Sequence, residues 1–307
     1  MREILSTVAS EGQQPREPDS VAEWLRSLLP VKGLGSSGQQ VFNLVAREPG
    51  KASFLPAGEL ADLAQTSVSS VTRAAQRMGY AGWPDFQRDL RTRHLAHLSA
   101  LEVSDAHRSG SSPYESSLRQ DLDSLAAALR NVDERRITRI AALLARSENI
   151  YVTAQGSFSA IGQALVHNMQ IAGYPARELL DRPASVSNHV SRMSSRDVLV
   201  VCSYWRLYDL AVTAATQARL RGAKVVILTD NISPALSKCA DEIVTTPAEG
   251  SSFFPSLTAA MAVQQGIVAT LAGLDPARTR QNLIAVEEGW REFKLLHRSV
   301  PNIQPHI

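Results

Sequence analysis

Cysteine is nearly absent from this chain: Cys202 and Cys239 are the only two among 307 residues, far apart and in no Cys-x-x-Cys pair. That excludes a disulfide scaffold and a cysteine-held metal, and it predicts two packed thiols in a reducing, cytoplasmic setting. Net charge is also scarce, at +2, so any affinity for nucleic acid must come from local charge. Long apolar runs are missing too. The most apolar stretch, Thr258 to Leu274, is interrupted by Gln264 and Gln265 and reads as a buried helix, so no membrane partner is expected. The polar, partly acidic N-terminus predicts no signal peptide. No Gly-x-Gly-x-x-Gly loop accompanies Asp230, although that residue follows a strand-like run, and this weakens a dinucleotide reading. No histidine or cysteine spacing suggests a metal. No cofactor is expected.

What the chain does contain suits two domains: 307 residues with an ordinary apolar fraction of 44%. Met1 to Asp19, with Gly12, Pro15 and Pro18, reads as a mobile arm. Helices are expected over Val21–Leu29 and Gln39–Arg47, the second capped by the loop from Lys32 to Ser37 and turning Val41, Leu44 and Val45 inward. Asp85 is a candidate cap for a basic helix reaching about His97.

The informative stretch of this half is Ala57 to Tyr80. Leu60, Leu63 and Ala64 share one face of a first short helix, and Val68, Val71, Ala75 and Met78 repeat at the helical period on a second. Gln65-Thr66-Ser67 between them leaves room only for a sharp corner, at which Gln65 would adopt a left-handed conformation at roughly 1 kcal/mol. Such a pair forms a helix-turn-helix, whose second helix can lie in a DNA major groove. That helix exposes Ser67, Ser69, Ser70, Thr72, Arg73, Gln76 and Arg77: hydroxyl, amide and guanidinium groups without a carboxylate. Hydroxyls and free N–H groups at a helix start suit phosphate oxygens, and arginine and glutamine suit base edges. Periodicity alone equally allows an ordinary helical hairpin with a solvated face. From Thr66 to His97 five arginines (73, 77, 88, 91 and 93) stand against Asp85 and Asp89, a modest local excess that specific contacts or dimerisation must supplement.

Ser104 to Ser117, with Gly110, Pro113 and six serines, reads as a linker. Helices are expected over Leu118–Leu129 and Arg135–Ala145. From Asn149 the texture changes to short apolar strands, Asn149–Thr153, Asp197–Cys202, Lys224–Thr229 and Glu242–Thr245, alternating with helices near 159–172, 208–221 and 259–271. The expected fold is therefore α/β overall: an all-α N-terminal domain followed by a doubly wound parallel sheet. In such sheets ligands bind outside the carboxyl ends of the strands. The segments there are Gln155–Ser159, Ser203–Tyr208, Asp230–Pro234 and Glu249–Ser252.

With both halves read, the chain resembles the RpiR family of bacterial transcription regulators, a helix-turn-helix followed by a SIS (sugar isomerase) domain. The likeness rests on LADLAQTSVSSVTRAAQRMGYAGWPDFQRDL (Leu60–Leu90), Gly156-Ser157 and Ser203 after strands, GAKVVILTD (Gly222–Asp230) and SPALSKCAD (Ser233–Asp241). It implies a DNA-binding domain over residues 1–100 (core about 37–97), a linker over 101–118, an effector-binding and oligomerisation domain over 119–293 and a tail over 294–307. It also implies a homodimer or homotetramer on a double-stranded operator, acting as a repressor controlled by a phosphorylated sugar or related anionic metabolite. The candidate effector residues on the strand-end segments are Gly156, Ser157, Ser159, Ser203, Arg206, Tyr208, Ser251 and Ser252.

The loops depart from the family's phosphate-binding pattern. Gly-x-Gly-Ser-Ser is replaced by Ala154-Gln155-Gly156-Ser157-Phe158, and of Ser-x-Ser-Gly-x-Thr only Ser203 survives, with Trp205, Arg206 and Tyr208 at the altered positions. Arg206 offers a charged fork suited to phosphate or carboxylate, whereas Trp205 and Tyr208 are bulky enough to fill the pocket. A phosphosugar, another anionic metabolite and a filled pocket therefore all stay open. An isomerase would need a base. Glu249 is the one carboxylate read at the crevice rim, with His167 and His189 as further candidates, but none has a nameable partner, and no catalytic residue is assigned.

Overall fold

The computed structural model describes residues 21–99, 101–103, 112–179 and 183–297, so the N-terminal arm and parts of the linker and tail lie outside it. The chain packs as two compact units, Met1–Trp83 and Pro84–Ile307. Among the described residues no helix is long and apolar enough to cross a membrane.

The first unit is helical: α1 (Val21–Ser27), α2 (Ser36–Arg47), α3 (Pro49–Ala52), α4 (Ala57–Leu63) and α5 (Val68–Arg77), with α6 (Trp83–Ala96) leading out of it. Val41, Leu44 and Val45 of α2 are buried as expected, together with Leu60, Val71, Ala74, Ala75 and Met78. α2 starts earlier than its periodicity suggested, at Ser36 after Gly35 with φ +73°, and no side chain caps it. Asp85 does not cap α6 either. It lies inside the first turn, 3.0 Å from Arg88.

The second unit holds α7 (Pro113–Asn131), α8 (Glu134–Ala145), β1 (Asn149–Ala154), α9 (Ser159–Ile171), β2 (Ala176–Glu178), α10 (Pro183–Val190), β3 (Asp197–Ser203), α11 (Asp209–Leu220), β4 (Lys224–Thr229), α12 (Pro234–Ser237), β5 (Glu242–Thr245), α13 (Thr258–Leu274) and α14 (Pro276–Glu292). α7 begins inside the stretch expected as linker, where the Ser112 hydroxyl accepts from Glu115 N.

All five strands are parallel, in the order β2-β1-β3-β4-β5. Alternate strand residues feed two apolar layers. Val152, Val200 and Val226 pack with α8, α9 and α13, while Leu199, Val201, Val225 and Ile227 pack with α10 and α11. This two-sided burial explains why the strands read as continuous apolar runs. Cys202 and Cys239 are free and buried in opposite layers, and burial pushes the Cys202 thiol up to about 12. Strand order reverses direction between β1 and β3, which places the crevice at their carboxyl ends.

Candidate functional site

Two sites take shape, one in each unit. In the first, α4 and α5 meet at a corner where Gln65 is left-handed, with φ +51°. Ser67 caps α5, its hydroxyl accepting from Ser70 N at 3.2 Å and lying 2.8 Å from the Ser69 hydroxyl.

Val71, Ala75 and Met78 face inward as expected, and the buried face extends to Ala74 and Ser70 in place of Val68. Ser70 lies one turn before Ala74 on the same side and is buried, its hydroxyl 3.0 Å from that of Ser67, so it leaves the exposed set. Val68, expected inward, is half exposed, as is Leu63 of α4. Val68 thus joins the outward face, a position the apolar count alone misassigned.

Ser67, Ser69, Arg73, Gln76 and Arg77 are exposed and Thr72 is partly so. The arginines differ. Among the described residues Arg73 bonds within its own helix, at the Ser70 hydroxyl (3.2 Å), whereas Arg77 Nη1 donates to Leu34 O at 2.6 Å and ties α5 to the loop before α2. Both line a cavity of about 220 Å³ with Ser36 and Ser37 at the start of α2. The arginines of α6 are spent elsewhere. Arg88 pairs with Asp85, Arg93 with Asp89 (3.1 Å) and Arg91 with Glu249 (2.5 Å). Asp85 and Asp89 already stand in the sequence count, so the Arg91–Glu249 pair alone lowers the local excess, from about +3 to +2, and leaves it on Arg73 and Arg77.

In the second unit the strand-end loops converge as expected but are closed. Gly156 follows β1 with φ +62°, and a Cβ built there would lie 3.1 Å from the Tyr208 hydroxyl. Tyr208 thereby covers the loop that a phosphate would use. Gly156→Ala should cost roughly 1–2 kcal/mol for the left-handed backbone and displace Tyr208, lowering the denaturation midpoint. Ser157 is exposed, Ser159 is half-buried with its hydroxyl 3.4 Å from Ala154 O, and Ser203 is buried.

Trp205 takes φ +62°, costly for a side chain other than glycine, and is held there by its N–H donating to Asp230 Oδ2 at 2.9 Å and by edge contact with Phe253. Arg206 lies over the Trp205 ring at 4.8 Å and donates from Nη2 to Leu98 O at 2.9 Å, while its Nε is buried without an acceptor. Ser252 accepts from Phe254 N at 3.3 Å, Ser251 is half-buried, and Gly250 admits no side chain because a Cβ would strike Phe254 O.

Among the described residues, two cavities of about 20 Å³ lie at these loops, each the size of one water. One is lined by Ser203, Arg206, Asn231 and Ser233. The other is lined by Glu249, Gly250 and Ser252 with Thr92 and Leu95 of α6, and Trp205 and Asp230 border both. Closure of the crevice by Arg91 of α6 and by Leu98 just after it has no signal in the sequence.

Burial pushes the Asp230 carboxyl up to about 6, against the hydrogen bond from Trp205 N. The folded protein then holds this proton more tightly than the unfolded chain does. Its contribution to stability is accordingly lost as pH rises from about 4 to 6. Asp230→Asn should remove that slope, read as the difference in melting temperature between variant and parent across the range.

The base candidates do not converge. His167 is exposed on α9, His189 Nδ1 lies 2.8 Å from Ser185 O within α10, and Glu249 Oε1 is taken by Arg91.

The SIS domain description matches residues 143–269. An uncharacterised HTH-type transcriptional regulator, YfhH of Escherichia coli strain K12, is 25% identical over 231 residues, 73% of this chain and 81% of its own. The chain is also similar to the Vibrio vulnificus NanR protein complexed with ManNAc-6P, at 22% identity and TM-score 0.57 over 89% of this chain and 99% of that one. A further likeness is to the sugar isomerase domain of an RpiR transcription factor from Sphaerobacter thermophilus, at 22% identity and TM-score 0.54 over 56% of this chain and 96% of that domain. At such identities the solved structures establish fold. The family match, with the order of the sheet, identifies residues 143–269 as a SIS domain, which follows the α4–α5 helix-turn-helix in the chain.

Proposed function

We propose that this chain is a cytoplasmic transcription regulator of the RpiR kind, acting as a repressor, with an operator affinity set by an anionic metabolite at the strand ends of its SIS domain. The observation that carries the reading is the outward face of α5: Ser67, Ser69, Thr72, Arg73 and Gln76 project from it with no carboxylate among them. Val68 adds an apolar contact suited to a thymine methyl. Arg77 is a positioning residue that fixes α5 to the Leu34 loop. Residues 1–100 serve DNA, 119–293 the effector and self-association, and the connector function of 101–118 extends back into α6. Two copies set two α5 helices one turn of duplex apart, about 34 Å.

The relatives' names support a regulator, and the NanR complex supports the sugar-phosphate class. The crevice supports a mechanism. An anion with two oxygens satisfies the orphaned Nε of Arg206 and its fork together, displacing Leu98 O. At cavities of one-water size a ligand is admitted by movement of Tyr208, Trp205 or Leu98. Binding is then coupled to the α6 connector by differential affinity for the closed and opened arrangements. No catalysis is assigned, since Glu249 is held by Arg91. Selection of genomic fragments by the purified protein tests the reading. A small set of recurring pseudo-palindromic duplexes is expected, and recovery without sequence preference would overturn it.

A further inference from the structure

α14 is a 17-residue helix with no buried residue. Helices of this length are normally held by an apolar face packed against something. Among the described residues its own chain holds α14 along one edge, where Thr279 Oγ1 donates to Ala272 O (3.2 Å), Asn282 Nδ2 donates to Gln170 O (2.8 Å) and Ile171 O (3.0 Å), and Arg278 lies over the Tyr174 ring. The opposite face carries Arg280, Leu283, Ile284 and Glu287 at helical spacing, with Glu288 beside them, all exposed. Past its end Phe293, Leu295 and Leu296 are exposed at 76%, 63% and 50%.

The charges that flank the apolar pair are ordered along the helix, basic Arg280 before it and acidic Glu287 and Glu288 after it, with Arg291 one turn further on, and among the described residues Arg280, Glu287 and Glu288 make no ion pair. Such a face is complementary to itself when reversed. We propose that α14 is the surface through which two copies of the chain associate, crossing antiparallel about a two-fold axis at Leu283–Ile284. Arg280 then faces the partner's Glu287 and the partner's Glu288. A parallel crossing would set like charges together and is disfavoured. One helix pair buries less than the roughly 1,200 Å² of a stable interface, and Phe293, Leu295 and Leu296 supply the remaining apolar area. The inference rests on the reading of the chain as a homo-oligomer and names the surface responsible.

Sedimentation of the full chain tests it. Arg280→Glu should weaken self-association at least about tenfold, and Arg280→Glu combined with Glu287→Arg and Glu288→Arg should restore it. As a second measurement, Ile284→Cys should give a covalent dimer on mild oxidation, because the axis brings the two copies of that position together while the natural cysteines are buried. A parent dimer indifferent to Arg280→Glu overturns this surface and leaves the oligomer reading intact. Loss of the dimer without rescue by the triple reversal also overturns the pairing. A monomeric parent overturns the oligomer reading and this proposal with it.

Discussion

Arg73→Ala is expected to lower operator affinity by roughly 1–3 kcal/mol, about 5- to 150-fold at fixed salt. Its guanidinium is exposed on the outward face of α5 and, among the described residues, anchored to Ser70 of the same helix, so it reaches a ligand at little cost to the fold. The form of the loss tells which contact is broken. A base contact gives a loss concentrated at one base pair and relaxed specificity there, whereas a phosphate contact gives a uniform loss and a salt dependence shallower by about one ion. An unchanged isotherm would remove Arg73 from the reading set. Arg77→Ala also weakens binding, but by freeing the loop at Leu34, so its effect should appear in thermal stability as well.

Arg206→Ala is expected to abolish the response to sugar phosphates, with ManNAc-6P as the first probe. Release of a bound duplex should no longer depend on the metabolite. Arg206 also holds Leu98 O in the closed crevice, so effector-free affinity should shift toward the value that the parent shows with metabolite bound. On the proposed mechanism both effects follow from one side chain, because a ligand would take the guanidinium that Leu98 O now occupies. A variant that still releases DNA at the parental metabolite concentration would show that Arg206 is not a ligand.

The parallel sheet was legible because strands buried on both faces leave unbroken apolar runs, as in Asp197–Ser203, where every residue is buried. The corner before α5 was legible from its short length, and Gln65 adopts the left-handed conformation expected of it. What periodicity could not supply was the extent of the buried face. Val68 and Ser70 exchange sides because the neighbours of α5 lie nearer Ala74 than the apolar count implied. β2 and α10 went unread. β2 is a three-residue edge strand with Arg177 and Glu178 exposed, and α10 is short. The modest excess counted over Thr66–His97 is one charge smaller in the fold, since sequence distance conceals the pair of Arg91 with Glu249. Tertiary ion pairs decide what charge is left for a partner, and no linear count contains them.

The measurement that bears most directly on the account is the ratio of affinities for a selected genomic duplex and a scrambled duplex of equal length, taken at one salt concentration. A ratio on the order of a thousand or more is expected of a face that reads bases. A ratio near one would mean that α5 meets DNA only as a charged surface, or not at all, and would contradict assignment of the chain to operator-specific control.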